Sequence, residues 1–191
     1  MINRFDGAGR LQELAVVGNP ALLDQPLLAV FCSQRCPGAL ILQAYDLGRA
    51  LRASQTPVIG GFHTPIEKDL LDILLKGKAP IVICLARSLQ GLRIPAAWRP
   101  PIAQGRLLLL SPFAAEIRRP TRQTATRRNL LAGSLAERTL IIHAQPGGQT
   151  AALCDQLLAE GKPVFTLADP ANAHLIDLGA QTYPVPLEDP R

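Results

Sequence analysis

Aromatic residues are scarce in this chain of 191: Phe, Tyr and Trp together make up 4%, with a single Trp. That scarcity argues against a ligand held by stacking on several rings. Cysteine is scarce too. Four thiols in this length are too few for a disulfide scaffold. Charged residues are only 18% of the chain while apolar ones are 48%, a balance that disordered chains do not have. No apolar run approaches the roughly 18–20 residues that a membrane-spanning helix needs. Met1–Gly7 is not followed by the apolar core of a signal peptide. What these absences leave is a soluble, intracellular, compact domain with material for a sizeable core. Its expected location is cytoplasmic, with no membrane partner.

Acid is missing from one place in particular. Ile117–Asn129 holds Arg118, Arg119, Arg122, Arg127 and Arg128 and no carboxylate, which accounts for the whole net charge of +5. The rest of the chain is balanced. A block of arginine without lysine suits phosphate, because the planar guanidinium pairs with its oxygens in a bidentate way. The plainer alternative is a solvated loop that aids solubility.

Strand and helix patterns alternate along the chain. Short apolar runs at Leu27–Cys32, Pro57–Ile59, Ile81–Leu85, Leu107–Leu110, Thr139–His143 and Val164–Leu167 read as buried strands. Leu40, Ala44, Leu47 and Leu51 recur at helical spacing and predict a helix over Ala39–Ala53. Ile66, Leu70, Ile73 and Leu74 predict a second, with Thr64 as N-cap and Pro65 in its first turn. Prolines 95, 100 and 101 exclude a long helix there. Further helices are expected over Thr124–Ala136, over Gln149–Ala159 with Gly161 as C′ glycine, and over Ala171–Leu178 before Gly179. The pattern is that of βαβ units: an α/β, Rossmann-like three-layer fold with a mostly parallel sheet. The expected organisation is an N-terminal appendage over 1–26 with an extra strand at Ala15–Val17, one Rossmann-like domain over 27–183, and a loose tail over 184–191.

Open parallel sheets bind ligands beyond the carboxyl ends of their strands. Three strand-end turns therefore draw attention: Ser33-Gln34-Arg35-Cys36-Pro37-Gly38, Gly60-Gly61-Phe62-His63-Thr64 and Gln145-Pro146-Gly147-Gly148-Gln149-Thr150. Each can offer backbone N–H groups and a helix N-terminus to an anion. None is a Walker loop or GxGxxG. Tight turns need glycine in any case, but three such turns beside an arginine block point to a phosphate-bearing ligand. His63 is placed to touch phosphate, while His143 and His174 are read as structural, and Trp98 as a packing residue. Cys32 and Cys36 lie four apart without further ligands nearby, so no metal site is expected.

These turns, in this order, resemble the Rossmann-like core of the DprA/Smf family within the SLOG superfamily, over about Leu27 to Ala180. The family's first turn, Gly-Ser-Arg with a later glycine, is similar to Cys32-Ser33-Gln34-Arg35 and Gly38. Its second, Ser-Gly, two variable residues and Gly-Ile-Asp, compares with Gly60 through Glu67. Its Arg-Asn-Arg stretch resembles Arg128-Asn129-Leu130, and its glycine turn ending in Thr-Ala resembles Gly147–Ala151. The closing pattern appears as Gly161-Lys162-Pro163-Val164-Phe165, Asn172, Leu175-Ile176 and Gly179-Ala180. Here Cys32 replaces a glycine, Leu130 the second arginine, and Ala125 the aromatic three residues ahead of the motif.

The resemblance implies single-stranded DNA as partner, a homodimer, and assistance to a RecA-type recombinase in transformation or recombination, with no catalytic residues and no cofactor. The expected DNA- and phosphate-binding residues are Ser33, Arg35, Gly38, Gly61, His63, Arg118, Arg119, Arg127, Arg128, Asn129, Gly147, Gly148 and Thr150. Three other readings stay open. The turns also suit a sensor of a small nucleotide. SLOG relatives that hydrolyse nucleoside monophosphates carry Pro-Gly-Gly-x-Gly-Thr-x-x-Glu; here Leu153 stands at the glutamate and Asp155 is displaced, so phosphoribohydrolase activity is the weaker alternative. A structural protein with an inert basic loop is the third.

Overall fold

A computed structural model describes residues 1–5 and 11–183. One nine-stranded sheet runs through it. In chain order the elements are β1 (Ile2–Phe5), β2 (Leu11–Gly18), β3 (Leu28–Cys32), α1 (Gly38–Ala53), β4 (Val58–Gly60), α2 (Pro65–Leu75), β5 (Ile81–Cys84), α3 (Arg99–Ala103), β6 (Leu107–Ser111), α4 (Arg122–Leu135), β7 (Arg138–His143), α5 (Gln149–Ala159), β8 (Val164–Thr166), α6 (Ala173–Asp177) and β9 (Gln181–Thr182). The strand order is β1-β2-β6-β5-β4-β3-β7-β8-β9. From β6 to β9 every pairing is parallel.

β3, β4 and β5 carry no polar side chain because both faces of the sheet are covered there. In β3, Leu28, Val30 and Cys32 enter one core while Ala29 and Phe31 enter the other. Alternation across the pleat thus feeds both layers. α1 and α2 cover the first face. Gly48 lets them close, since a Cβ there would meet Leu70 Cδ2 at 2.8 Å. On the opposite face α4 and α5 approach over Gly133, where a Cβ would stand 2.8 Å from Leu157 Cδ1. Lys162 donates from Nζ to the carbonyls of Ser134 and Ala136 at 2.7 and 3.1 Å, holding the last turn of α4 with a cation at the favourable end of its dipole.

All six strands expected from apolar runs are present, and the helices over 38–53, 65–75, 122–135 and 149–159 lie where the periodicity puts them. Three differences have physical reasons. The segment expected as an appendage is hydrogen-bonded into the sheet: β2 pairs antiparallel with β6, and Leu14 and Leu22 are buried in the core. The proline-rich stretch contains a 3-10 turn, Ala96–Trp98, that leads into α3. Pro100 and Pro101 sit in the first turn of that helix, where a missing N–H costs nothing. β1 and β9, which no apolar run announced, are edge strands. Trp98 packs half-buried against the first core, as expected. The tail expected over 184–191 lies outside the described residues.

Candidate functional site

The chain order reverses between β3 and β7. From β3 the sheet grows one way through β4, β5 and β6 and the other way through β8. Such a switch point opens a crevice at the carboxyl ends of the strands. A cavity of about 240 Å³ lies there, lined among others by Ser33, His63, Glu67, Ala125, Arg128, Asn129, Gln145, Gly148 and Thr150. The three turns named from the sequence meet in it, together with one face of α4.

Two side chains stitch these turns together. Ser33 donates its N–H to the His143 carbonyl at 2.8 Å, and its Oγ accepts from the Gln145 N–H at 2.9 Å. The hydroxyl proton remains free to point at a ligand. Glu67, only 4% exposed, accepts from the N–H of Cys32 at 2.9 Å, of His63 at 2.8 Å and of Thr64 at 3.4 Å. It thus ties the first turn to the second and, with Thr64, forms the capping box of α2. Between Gly61 and His63, Phe62 is buried and takes a left-handed φ of 47°. An L residue there costs about 1–2 kcal/mol, a strain that the Glu67 bonds and the buried ring hold in place.

Arg128 is the buried cation of the site, 5% exposed. Its Nε donates to Asn129 Oδ1 at 2.6 Å and its Nη1 to the Cys84 carbonyl at 3.3 Å. Burial pushes its pKa down, and the charge of Glu67 opposes that shift. The guanidinium lies against Gly61 so closely that a Cβ would overlap Cζ and Nη1. Burial also raises the Cys32 thiol, with neighbouring Cys36 next in effect, so no thiolate competes with an anion at the cavity wall.

Of the helices that begin here, α2 is closed by its own capping box. α5 is open. Its N-cap is Gly148, no side chain caps it, and its first turn holds no acid. Gly147 enables the approach with a φ of 69°. Gly148 donates its own N–H to the Gln145 carbonyl at 2.9 Å, so the open N–H groups of the first turn begin at Gln149 and Thr150, which line the cavity together with Gly148 at the positive end of the dipole. α1 also lacks a side-chain cap.

Six of the expected residues line this one cavity: Ser33, His63, Arg128, Asn129, Gly148 and Thr150. Gly147 belongs to the same turn. Arg35 lines a neighbouring cavity with Cys36, Pro37, His143 and Gln145. Gly38 is exposed at the start of α1. Gly61 serves as the floor under Arg128, and the N–H groups of His63 and Thr64 are consumed by Glu67. The second turn therefore contributes side chains, not an N–H nest. Arg118 and Arg119 are exposed ahead of α4 and do not line the cavity, and Arg127 lies 5.4 Å over the Phe113 ring. Sequence reasoning passed over Glu67 as a site organiser. Its signal was Thr64 followed three residues later by a glutamate. Among the described residues no Phe, Tyr or Trp lines the cavity, and Ala125 is on its wall.

A family model described as DNA recombination-mediator protein A matches residues 11–183. The fold is similar to the crystal structure of DNA processing protein A from Streptococcus pneumoniae, with a TM-score of 0.73 and 20% identity over 89% of this chain and 62% of that one. It is equally similar to DNA processing protein A from Helicobacter pylori, whose structure describes a single-stranded DNA binding mode: TM-score 0.73, 21% identity, 88% of this chain and 80% of that one. The molybdenum cofactor carrier protein of Chlamydomonas reinhardtii shares the fold at a TM-score of 0.57 and 16% identity, over 83% of this chain and 90% of that one. The chain thus spans less than two thirds of the Streptococcus protein. No curated protein matches it. No helix among the described residues is long and apolar enough to cross a membrane.

Proposed function

The chain belongs to the DNA recombination-mediator protein A family, and from that premise we propose that it binds single-stranded DNA through the cavity between β3 and β7. The observation that carries this reading is the pairing of the open N-terminus of α5 with buried Arg128 across one cavity. Two of the five guanidinium N–H groups are engaged within the protein, and the others complement phosphate oxygens. With no aromatic wall, the backbone of the strand supplies most of the affinity, and Arg118, Arg119 and Arg122 attract it from outside the cavity.

Binding without turnover is the chemistry that fits. Among the described residues Glu67 is the carboxylate that lines the cavity, and its oxygens are held by three backbone N–H groups. A carboxylate so engaged is poorly placed to move protons in glycoside hydrolysis. The same reading includes a homodimer, a RecA-type recombinase as partner and a cytoplasmic location. Light scattering and pull-down with purified recombinase test the first two.

Fluorescence anisotropy with a short deoxythymidine oligomer at two salt concentrations tests the main claim. Affinity should fall with a log–log slope of about −0.7 per phosphate neutralised. Absence of association in dilute buffer, together with thermal stabilisation by a mononucleotide, would favour the small-nucleotide sensor.

A further inference from the structure

A further cavity, about 250 Å³, opens between α4 and α5 and is lined by residues of these two helices alone. Asn129 and Gln149 line it and also line the cavity at Arg128, so the two spaces meet at that pair. Its walls are Leu130, Ala152 and Leu153. Leu153 is buried, and Leu130 packs against the core beneath. Among the described residues no ionisable side chain lines it. A phosphate would find no cation there, whereas apolar walls under uncharged amides suit a flat, neutral ring. The volume falls short of the ~300 Å³ at which pockets for whole small ligands begin. It is room for one part of a ligand that is held elsewhere.

The amides where the cavities meet are already oriented. Arg128 Nε donates to Asn129 Oδ1 at 2.6 Å, which leaves Asn129 Nδ2 as a donor. Thr126 commits its only hydroxyl proton to the Arg122 carbonyl at 3.1 Å. It can therefore only accept from Gln149, whose Nε2 lies 3.0 Å away. Gln149 Oε1 is left as an acceptor. Neither open end has a hydrogen-bond partner among the described residues.

We propose that the cavity between α4 and α5 receives one base of a single strand whose adjoining phosphate occupies the cavity at Arg128. The inference rests on the single-stranded DNA reading and extends it to a place outside the phosphate cavity. Continuity through Asn129 and Gln149 supplies the path from phosphate to base. Single strands expose their Watson–Crick edges, and each of the four bases presents a donor and an acceptor next to each other on that edge. Asn129 Nδ2 and Gln149 Oε1 thus suit any of them. The apolar walls supply the affinity, and the subsite tolerates any sequence.

A deoxythymidine oligomer just long enough to bind, with one abasic site moved along it position by position, tests this. The abasic sugar removes the ring and keeps every phosphate. The native protein should show one position at which loss of the base weakens binding about fivefold or more. Ala152 is exposed on α5, and Ala152→Trp fills the cavity with a side chain of the protein. In that variant the sensitive position should disappear while salt-dependent association remains. Methyl spectra of the native protein give a readout independent of the variant's folding. The Leu130 and Leu153 methyl signals should shift in the ring current of the intact strand and stay in place with the strand that is abasic at the sensitive position. Loss of affinity that does not depend on position, or a sensitive position that survives Ala152→Trp, overturns the inference and leaves DNA binding intact. Methyl signals moved equally by intact and abasic strands overturn it in favour of a seat for the backbone. Failure of every oligomer to bind in dilute buffer overturns the inference and the DNA reading together.

Discussion

Arg118 and Arg119 stand in water ahead of α4, while Arg128, on the second turn of the same helix, is buried between Gly61, Asn129 and the Cys84 carbonyl. In the sequence these residues form one block of like charge. In the fold they belong to two regions with different physics. The loop arginines act at long range and are screened by salt. The buried one is fixed before any ligand arrives, at the expense of desolvation, and depends on a carboxylate and a glycine that lie some sixty residues earlier in the chain. Electrostatic attraction and geometric recognition are thus separate properties here, although one stretch of sequence encodes both.

The sharpest way to break this contrast is to remove what supports the buried cation. Glu67→Ala deletes the acceptor of three N–H groups and the charge that favours Arg128, and should lower stability by about 3–5 kcal/mol in urea unfolding. Gly61→Ala places a methyl group against the guanidinium and should cost about 1–3 kcal/mol while weakening oligomer binding about tenfold. Combined with Arg128→Ala, its effect on binding should be strongly non-additive in a double-mutant cycle, because both changes act on one contact.

Alkali should be felt at the same buried place. Burial pushes the Cys84 thiol from 9.0 up to about 12, with Arg128 opposing the shift. The fold therefore favours the neutral thiol. That contribution is complete below the ordinary value of 9.0 and is lost as pH rises through about 12. The unfolding free energy from urea titration should decline across that window, by on the order of 1 kcal/mol near pH ~10, and less steeply in Cys84→Ala. The smallest change in stability belongs to the loop. Arg118→Ala/Arg119→Ala should stay within about 0.5 kcal/mol of the native protein and flatten the salt slope for oligomer binding by about 1.4 if both arginines neutralise phosphate. A loop variant that abolishes binding at low salt would erase the distinction.

The sheet was legible because its central strands are apolar without interruption. Leu28–Cys32, Ile81–Cys84 and the run Leu107–Leu110 offer no polar position to confuse the period. β9 was not, since two exposed residues carry no pattern. β1 was not, since its pairing to β2 is a backbone property. The site divides in the same way. Glycine turns and the uncapped start of α5 can be read from local sequence. The consumption of the second turn by Glu67, the floor that Gly61 gives to Arg128, and the orientation of His143 by Asn172 all depend on long-range register. A residue's type tells what it can bond to, and only the fold tells which of those bonds are already taken.

The ladder between β3 and β7 skips a residue. Phe31 faces Ile141, but Cys32 faces His143. Ile142 is left opposite nothing although its side chain is fully buried. Deleting it would restore an unbroken ladder and keep the imidazole level with Cys32. It would also turn His143, the last residue of that strand, to the other face, because each step of one residue turns a side chain through the sheet. Asn172, whose Nδ2 donates to the Ile142 carbonyl at 2.8 Å and whose Oδ1 lies 2.9 Å from His143 Nδ1, would lose both partners. The skipped residue thus decides which side chain closes β7 at the switch point, and it is the reason an imidazole lines the cavity there.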